Sequence, residues 1–154
     1  MRDVGYSRNT LQDLKKAWST HGGSIDWFKL KRFHDTLIKY KSDMQLIDYS
    51  DMLEKFVNAN ATIDVEVAII DEAQDLTPLQ WKVASVAFAN CKRLYIGGDD
   101  DQAIYKWSGA DVETFINLKG NVEVLKKSHR QPAAVFKQSS KILQRIKNRR
   151  EKVF

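Results

Sequence analysis

Cysteine and proline are scarce in this sequence, which has one cysteine, Cys91, and two prolines in 154 residues. A single cysteine excludes a disulfide within the chain and a zinc site built from several thiolates, and it fits a reducing compartment. The sequence also lacks an apolar run near the roughly 18 residues of a membrane span, and its first residues lack a signal-peptide core. We therefore expect a soluble, cytoplasmic protein without a membrane partner.

Acidic and basic residues are unevenly distributed along the chain, whose hydrophobic content of 43% is enough for one core. The formal net charge is +5, but residues 1–41 carry +5, residues 42–118 carry −9 and residues 119–154 carry +9. An acidic centre between basic ends fits a metal-binding site with flanks that face nucleic acid. Solvated helix faces would give the same pattern, and for charge runs in general that alternative is more common.

The first sixty residues space their apolar side chains as helices do and show no pattern that indicates chemistry. We expect helices over residues 7–18, 26–41 and 49–58. Ser7 would cap the first of these helices and Asp26 the second. Residues 1–61 are therefore predicted to form an all-helical segment.

Two short apolar runs that end in polar residues predict neighbouring interior strands, buried on both faces. Residues 65–70 lead to Asp71 and Glu72, and residues 93–96 lead to a Gly-Gly turn and Gln102. A capping-box helix start lies between the two runs, so the order strand–helix–strand predicts an α/β fold with a parallel pair. Because the carboxyl ends of parallel strands lie at the same edge of a sheet, we expect Asp71, Glu72 and Gln102 to converge.

A third strand is predicted over residues 122–125, and it is followed by a cation, Arg130. Pro132 then begins a last, basic helix, whose spacing turns Val135 and Ile142 inward.

The adjacent carboxylates after the first strand could hold Mg²⁺ through one acid and activate a water through the other.

Four segments resemble motifs of the UvrD/Rep/PcrA-type superfamily 1A DNA helicases. Residues 71–80 read DEAQDLTPLQ and resemble motif II, and residues 98–111 read GDDDQAIYKWSGAD and resemble motif III. Residues 125–130 read LKKSHR and resemble motif IV, and residues 48–53 read DYSDML and resemble the segment that precedes motif II. Four matches in the family's order and spacing are far more specific than any single one.

The resemblance implies a partial RecA-like parallel sheet with flanking helices over residues 62–118. The all-helical residues 1–61 would be the end of the family's 1B-like insertion. Residues 119–154 would form a strand and a basic helix that cross toward a second core. The resemblance also implies a bacterial or phage-encoded protein.

The same resemblance implies ATP and Mg²⁺ as cofactors and gives five residues a role at the nucleotide. Asp71 would coordinate Mg²⁺ and Glu72 would activate the attacking water. Gln102 would sense the γ-phosphate, and Arg130 would act as an arginine finger, a group worth about 10³–10⁵ in rate. His129 stands where the family has an adenine-stacking tyrosine, and its flat ring could replace that contact.

Tyr105 and Trp107 are placed by the resemblance near the track of single-stranded DNA, with Trp107 stacked on a base. Stacking on an aromatic side chain tolerates any base, which suits a translocating motor. The residues by themselves leave another interpretation open, in which both aromatic side chains belong to the core. Single-stranded DNA, duplex DNA junctions and the remainder of the helicase chain are the implied partners.

The phosphate-binding loop of the family, Gly-x-x-x-x-Gly-Lys-Ser/Thr, does not occur among the 154 residues. Without this loop the sequence lacks the backbone N–H groups that would surround the phosphates and the lysine that would contact them. We therefore expect a fragment of an ATP-dependent helicase that is inactive alone. Two alternatives stay open: a stand-alone module that binds single-stranded nucleic acid or regulates, and a Mg²⁺-dependent nuclease that uses Asp71, Glu72 and the acids at 99–101.

Overall fold

The computed structural model describes residues 2–21, 25–125, 131–146 and 149. Within these residues the chain forms helices and one small sheet in the order α1 (Arg2–Asn9), α2 (Leu14–Thr20), α3 (Trp27–Asp43), α4 (Tyr49–Asn58), β1 (Val67–Ile70), α5 (Pro78–Ala87), β2 (Arg93–Ile96), α6 (Val112–Ile116) and α7 (Ala133–Leu143). Short 3₁₀ helices lie at Ala73–Asp75, Asp100–Gln102 and Lys106–Ser108. The predicted α/β class is confirmed, whereas the division into three segments stays a prediction.

β1 and β2 form a parallel pair, as the strand–helix–strand order predicts. Val67 lies opposite Arg93 and Ile70 lies opposite Ile96, so the two strands end level with each other. The segments that follow Ile70 and Ile96 therefore leave the sheet side by side.

α5 connects the two strands and begins with the predicted capping box. The Gln80 backbone N–H donates to Thr77 Oγ1 at 3.3 Å, and the Thr77 N–H donates to Gln80 Oε1 at 2.8 Å, so two orphan donors are satisfied. Leu79 is 1% exposed because α5 packs against α1 and α4. α5 therefore connects the two strands and also packs against helices of the first sixty residues.

The predicted single helix over residues 7–18 is wrong, because the chain forms two helices there. Leu11 adopts φ +54°, a left-handed conformation that ends α1, and Asp13 caps α2 by accepting from the Lys15 N–H at 3.0 Å. Ser7 is therefore no N-cap. It lies inside α1, where its hydroxyl donates to the Val4 carbonyl at 2.9 Å.

A network of ion pairs joins α1, α3 and α4. Arg8 of α1 donates to Asp51 at 2.6 Å, to Glu54 at 2.8 Å and to Asp48 at 3.0 Å. Lys41 of α3 reaches Asp48 at 2.8 Å and Asp51 at 2.7 Å. Asp48 and Asp51 also form the capping box of α4, so the network fixes the start of that helix against its neighbours.

Residues 122–125 adopt no strand in the structure, which corrects the predicted third strand. A cavity of about 730 Å³ lies between β2 and this segment, with Phe115 and Leu118 also in its lining. The hydrogen-bonded sheet of the described residues therefore holds β1 and β2 alone.

Two predictions of burial are also wrong. β1 is buried on one face only, since Ala68 is covered whereas Val67 and Ile69 are exposed, because the described sheet has only two strands. Val135 and Ile142 of α7 are exposed, because α7 makes no extensive contact with another described helix or strand. None of the described helices is both long and apolar enough to cross a membrane.

Candidate functional site

Backbone hydrogen bonds tie together the two segments that follow the strands. The Gly97 N–H donates to the Ile70 carbonyl at 2.8 Å, and the Ala73 N–H donates to the Gly97 carbonyl at 3.0 Å. These bonds hold the residues after β1 against the residues after β2. The candidate site lies at this edge of the sheet.

Asp71 and Glu72 are both exposed at this edge, directly after β1. Glu72 has φ +51° and ψ +39°, a left-handed conformation that is uncommon for a residue with a side chain and that is often found at functional sites. The Glu72 N–H donates to Asp71 Oδ1 at 2.9 Å, so the first carboxylate stabilises the turn that presents the second.

Gln74 lies beneath these acids and is only 2% exposed. Its Nε2 donates to Glu72 Oε2 at 2.7 Å, and its Oε1 accepts from the Asp99 N–H at 2.9 Å. A buried amide therefore bridges the two strand-end segments. Sequence reasoning missed Gln74 as part of the site and named Asp99 only in the nuclease alternative, since the only signal was their position inside two adjoining motifs.

Gln102 joins the same arrangement through Asp99. Its Nε2 donates to Asp99 Oδ2 at 2.7 Å, and the side chain is otherwise exposed. Asp101 in the same turn accepts both guanidinium bonds of Arg149, at 2.7 Å and 2.6 Å, and this hydrogen bonding raises the pKa of Arg149. The structure thus brings Gln102 to the edge that holds Asp71 and Glu72.

Tyr105 and Trp107 follow this turn and are exposed by 44% and 62%. Their ring centroids lie 6.5 Å apart, with the ring planes inclined at 52°. The interpretation of both side chains as core aromatics is therefore wrong. The left-handed Gly109, with φ +101°, closes the segment against the residues that follow α1, where an added Cβ would lie 2.9 Å from Thr10 Cγ2.

Asp71 is the carboxylate of this site that is best suited to bind a magnesium ion shared with a nucleotide. Mg²⁺ is usually bound by one or two carboxylates plus substrate phosphates and waters, without a cage made of protein alone. The exposed Asp71, with one oxygen engaged by the backbone, fits such a site. In the ranges that the structure describes, no three His, Cys, Asp or Glu side chains converge on a common point for a metal ion.

His129 and Arg130, predicted to contact the adenine and the γ-phosphate, lie outside the described residues. Their roles stay predictions. The site residues that the structure does describe are the metal and water side of the predicted centre, Asp71 and Glu72, together with Gln102 and the two aromatic side chains.

Comparison with known proteins places this sequence in a family. The family model described as UvrD/REP helicase N-terminal domain matches residues 6–123. The RecBCD enzyme subunit RecB of Buchnera aphidicola subsp. Acyrthosiphon pisum is 31% identical over 121 residues, which cover 71% of this chain and 10% of RecB. The ATP-dependent DNA helicase Rep of Buchnera aphidicola subsp. Baizongia pistaciae is 26% identical over 101 residues, or 60% of this chain and 15% of Rep.

The ATP-dependent DNA helicase PcrA of Staphylococcus aureus is 25% identical over 88 residues, which cover 54% of this chain and 12% of PcrA. The chain therefore spans a small part of the length of these relatives. The family match covers most of the chain and includes the strand-end acids, the Gln102 turn and the exposed aromatic pair. It follows that this chain belongs to the UvrD/REP helicase N-terminal domain family.

Proposed function

We propose that this chain supplies the magnesium and water side of the ATPase site in a DNA helicase that moves along single-stranded DNA and unwinds duplex junctions. The observation that carries the proposal is the meeting of Asp71, Glu72 and the Gln102 turn at one sheet edge. The names of the relatives support it, since Rep and PcrA are described as ATP-dependent DNA helicases. A bacterial helicase of this kind meets its DNA in the cytoplasm.

Hydrolysis of ATP requires that an attacking water be oriented and that the charge on the phosphates be neutralised. A bound Mg²⁺ supplies charge stabilisation at the phosphate oxygens. Asp71 would hold that ion through its exposed carboxylate. Glu72, presented by its left-handed backbone, would orient the water and take its proton. Gln102 would respond to the γ-phosphate, while Arg130 and His129 would contribute the finger and the base contact.

The DNA side of the proposed function rests on the exposed Tyr105 and Trp107. They lie a few residues after Gln102 in the same segment, so a group that responds to phosphate is directly linked to a group that can stack on bases. A translocating motor requires such a link, because the state of the bound nucleotide must change the affinity for single-stranded DNA.

The test uses an ATPase-competent helicase of the family in which residues 6–123 of this chain replace the matching segment. We expect ATPase activity that single-stranded DNA stimulates and that Glu72→Gln lowers at least about 100-fold, since general acid–base catalysis contributes about 10²–10⁴ in rate. The 154-residue chain alone is expected to show no turnover, because its sequence holds no phosphate-binding loop.

Glu66→Gln is the matched control for this experiment. Glu66 is an exposed acid that pairs with Lys92 and precedes β1, so the same substitution there leaves the ATPase rate unchanged. Full activity of the Glu72→Gln chimaera, or turnover by the isolated chain, would contradict the proposal.

A second function, binding of single-stranded nucleic acid without hydrolysis, is favoured by the exposure of Tyr105 and Trp107 alone. It predicts that the isolated chain binds single strands and that Glu72→Gln leaves the affinity unchanged. The nuclease alternative has less support, because a nuclease built on these acids would not require the exposed aromatic pair. A plasmid-nicking assay with Mg²⁺ separates it from both.

A further inference from the structure

A continuous chain of hydrogen bonds runs from Glu72 to Gln102. Gln74 Nε2 donates to Glu72 Oε2 at 2.7 Å, and the Asp99 N–H donates to Gln74 Oε1 at 2.9 Å. Gln102 Nε2 then donates to Asp99 Oδ2 at 2.7 Å. The two end members are exposed, whereas Gln74 in the middle is 2% exposed.

The middle of this chain requires the amide of a glutamine. One end of the Gln74 side chain must donate to a carboxylate, and the other must accept from a backbone N–H. A glutamate would set a second carboxylate against Glu72, and an apolar side chain would provide neither bond. The Gly98 backbone leaves room for this amide, since a Cβ there would lie 2.6 Å from Gln74 Oε1.

We propose that Gln74 and Asp99 are positioning residues that couple the orientation of the Glu72 carboxylate to that of the Gln102 side chain. The functional meaning of this coupling rests on the proposed function, in which Glu72 handles the water and Gln102 responds to phosphate. Gln74 would act through its bond to Glu72 and would not contact the water or the phosphate itself.

The physical basis of the coupling is the cost of leaving a buried polar group unpaired. When Glu72 turns toward a water, Gln74 Nε2 loses its acceptor at a site with little access to solvent. A buried donor without a partner is unfavourable, so the amide must shift, and with it the bond to the Asp99 N–H. Asp99 holds Gln102 through its carboxylate, so the disturbance reaches Gln102.

The test follows the side-chain amide resonance of Gln102 by NMR in the ¹⁵N-labelled chain, where no nucleotide or turnover is needed. Glu72→Ala is expected to shift this resonance in the parent chain. In a Gln74→Met background the same Glu72→Ala substitution is expected to leave it in place. If Gln74 had only a structural role, Gln74→Met would shift the Gln102 resonance, but that resonance would still shift further on Glu72→Ala.

The matched control is Gln80→Met, which removes a glutamine that only caps α5. The response of Gln102 to Glu72→Ala is expected to survive in that background. Asp99→Ala is a second way to interrupt the chain, and it serves if Gln74→Met fails to fold. It is also expected to abolish the response.

A Gln102 resonance that ignores Glu72→Ala in the parent chain would overturn the proposal, and so would an equal response with and without Gln74. This outcome is distinguishable from a failure of the proposed function. A chimaera without Glu72-dependent ATPase would refute the hydrolytic role, while the NMR response would still report the coupling.

Discussion

At the scale of single residues, the site depends on close approach of backbone to side chain. A Cβ on Gly98 would lie 2.6 Å from Gln74 Oε1, 3.0 Å from a Phe115 ring carbon and 3.1 Å from the Ala73 nitrogen. Real Cβ atoms almost never come within 3 Å of another group, and one of these neighbours is backbone that cannot move away. Glycine at this position is therefore a condition for the buried amide of Gln74.

Gly98→Ala is expected to lower the free energy of unfolding by about 1–3 kcal/mol, the usual cost of overpacking a close contact. Its effect should be local, because the added methyl group displaces the Gln74 amide and with it the Asp99 turn. Urea unfolding followed by tryptophan fluorescence measures the change.

Gly5→Ala is the matched control for that substitution. Gly5 lies inside α1 with nothing within 4 Å of an added Cβ, so alanine there should stabilise the chain by about 0.5–1 kcal/mol through helix propensity. The two variants are therefore expected to change the free energy of unfolding in opposite directions. Stabilisation by Gly98→Ala would mean that the close approach is absent in solution.

At the scale of the elements, α1, α3 and α4 are joined by charges instead of a large apolar core. Burial raises the pKa of Asp51, but hydrogen bonds from Lys41, from the Asp48 backbone N–H and from Arg8 outweigh that effect. They hold the pKa of Asp51 well below its usual value of 3.8. Asp48 has a lowered pKa as well, since bonds from Lys41 and the Asp51 backbone outweigh its burial.

This network predicts a loss of stability in acid. Because the pKa of Asp51 is lower in the folded chain, the unfolded chain binds more protons as the pH falls below the usual 3.8. The stabilisation is thus present above that pH and is lost below it. Asp51→Asn should make the free energy of unfolding less dependent on pH between about pH 5 and about pH 2.

Asp35→Asn is the comparison for this experiment. The pKa of Asp35 is also lowered, by its hydrogen bond from Lys31, but the pair is exposed and solvent screens it. A smaller effect on the pH dependence is expected. If Asp51→Asn and Asp35→Asn flatten the curve equally, the network does not join the three helices in solution.

At the scale of the whole molecule, the exposed aromatic pair and the uneven charge together predict how the chain meets DNA. The isolated chain is expected to bind single-stranded oligonucleotides with an affinity that falls as salt rises, because lysine and arginine contacts release counterions from the phosphates. Trp107→Ala should weaken binding by about 1–3 kcal/mol if the ring stacks on one base.

Phe28→Ala is the control, since Phe28 in α3 is an aromatic side chain that is even more exposed than Trp107, at 76%, and lies outside the candidate site. Fluorescence anisotropy of a labelled oligothymidine across a salt series measures both variants. Trp107→Ala should shift the curve without changing its slope against salt, because it removes no charge. Unchanged affinity on Trp107→Ala would remove the aromatic pair from the proposed DNA site.

The sequence by itself determined the features that depend on neighbours along the chain. Asp26, Asp48 and Thr77 cap helices through bonds to residues three positions on, and such bonds form whatever packs nearby. The parallel pair, and with it the meeting of Asp71 and Glu72 with the Gln102 turn, also followed from sequence order, because strand–helix–strand connections constrain strand direction.

Only the tertiary structure decided the features that depend on groups far apart in the chain. The break at Leu11, the exposure of Val135 and the missing ladder at residues 122–125 depend on which surfaces find a packing partner, which periodicity does not encode. The hydrogen bond between Gln74 and Asp99 joins residues that are 25 positions apart. A buried amide is identified as part of a site only when the fold shows what surrounds it.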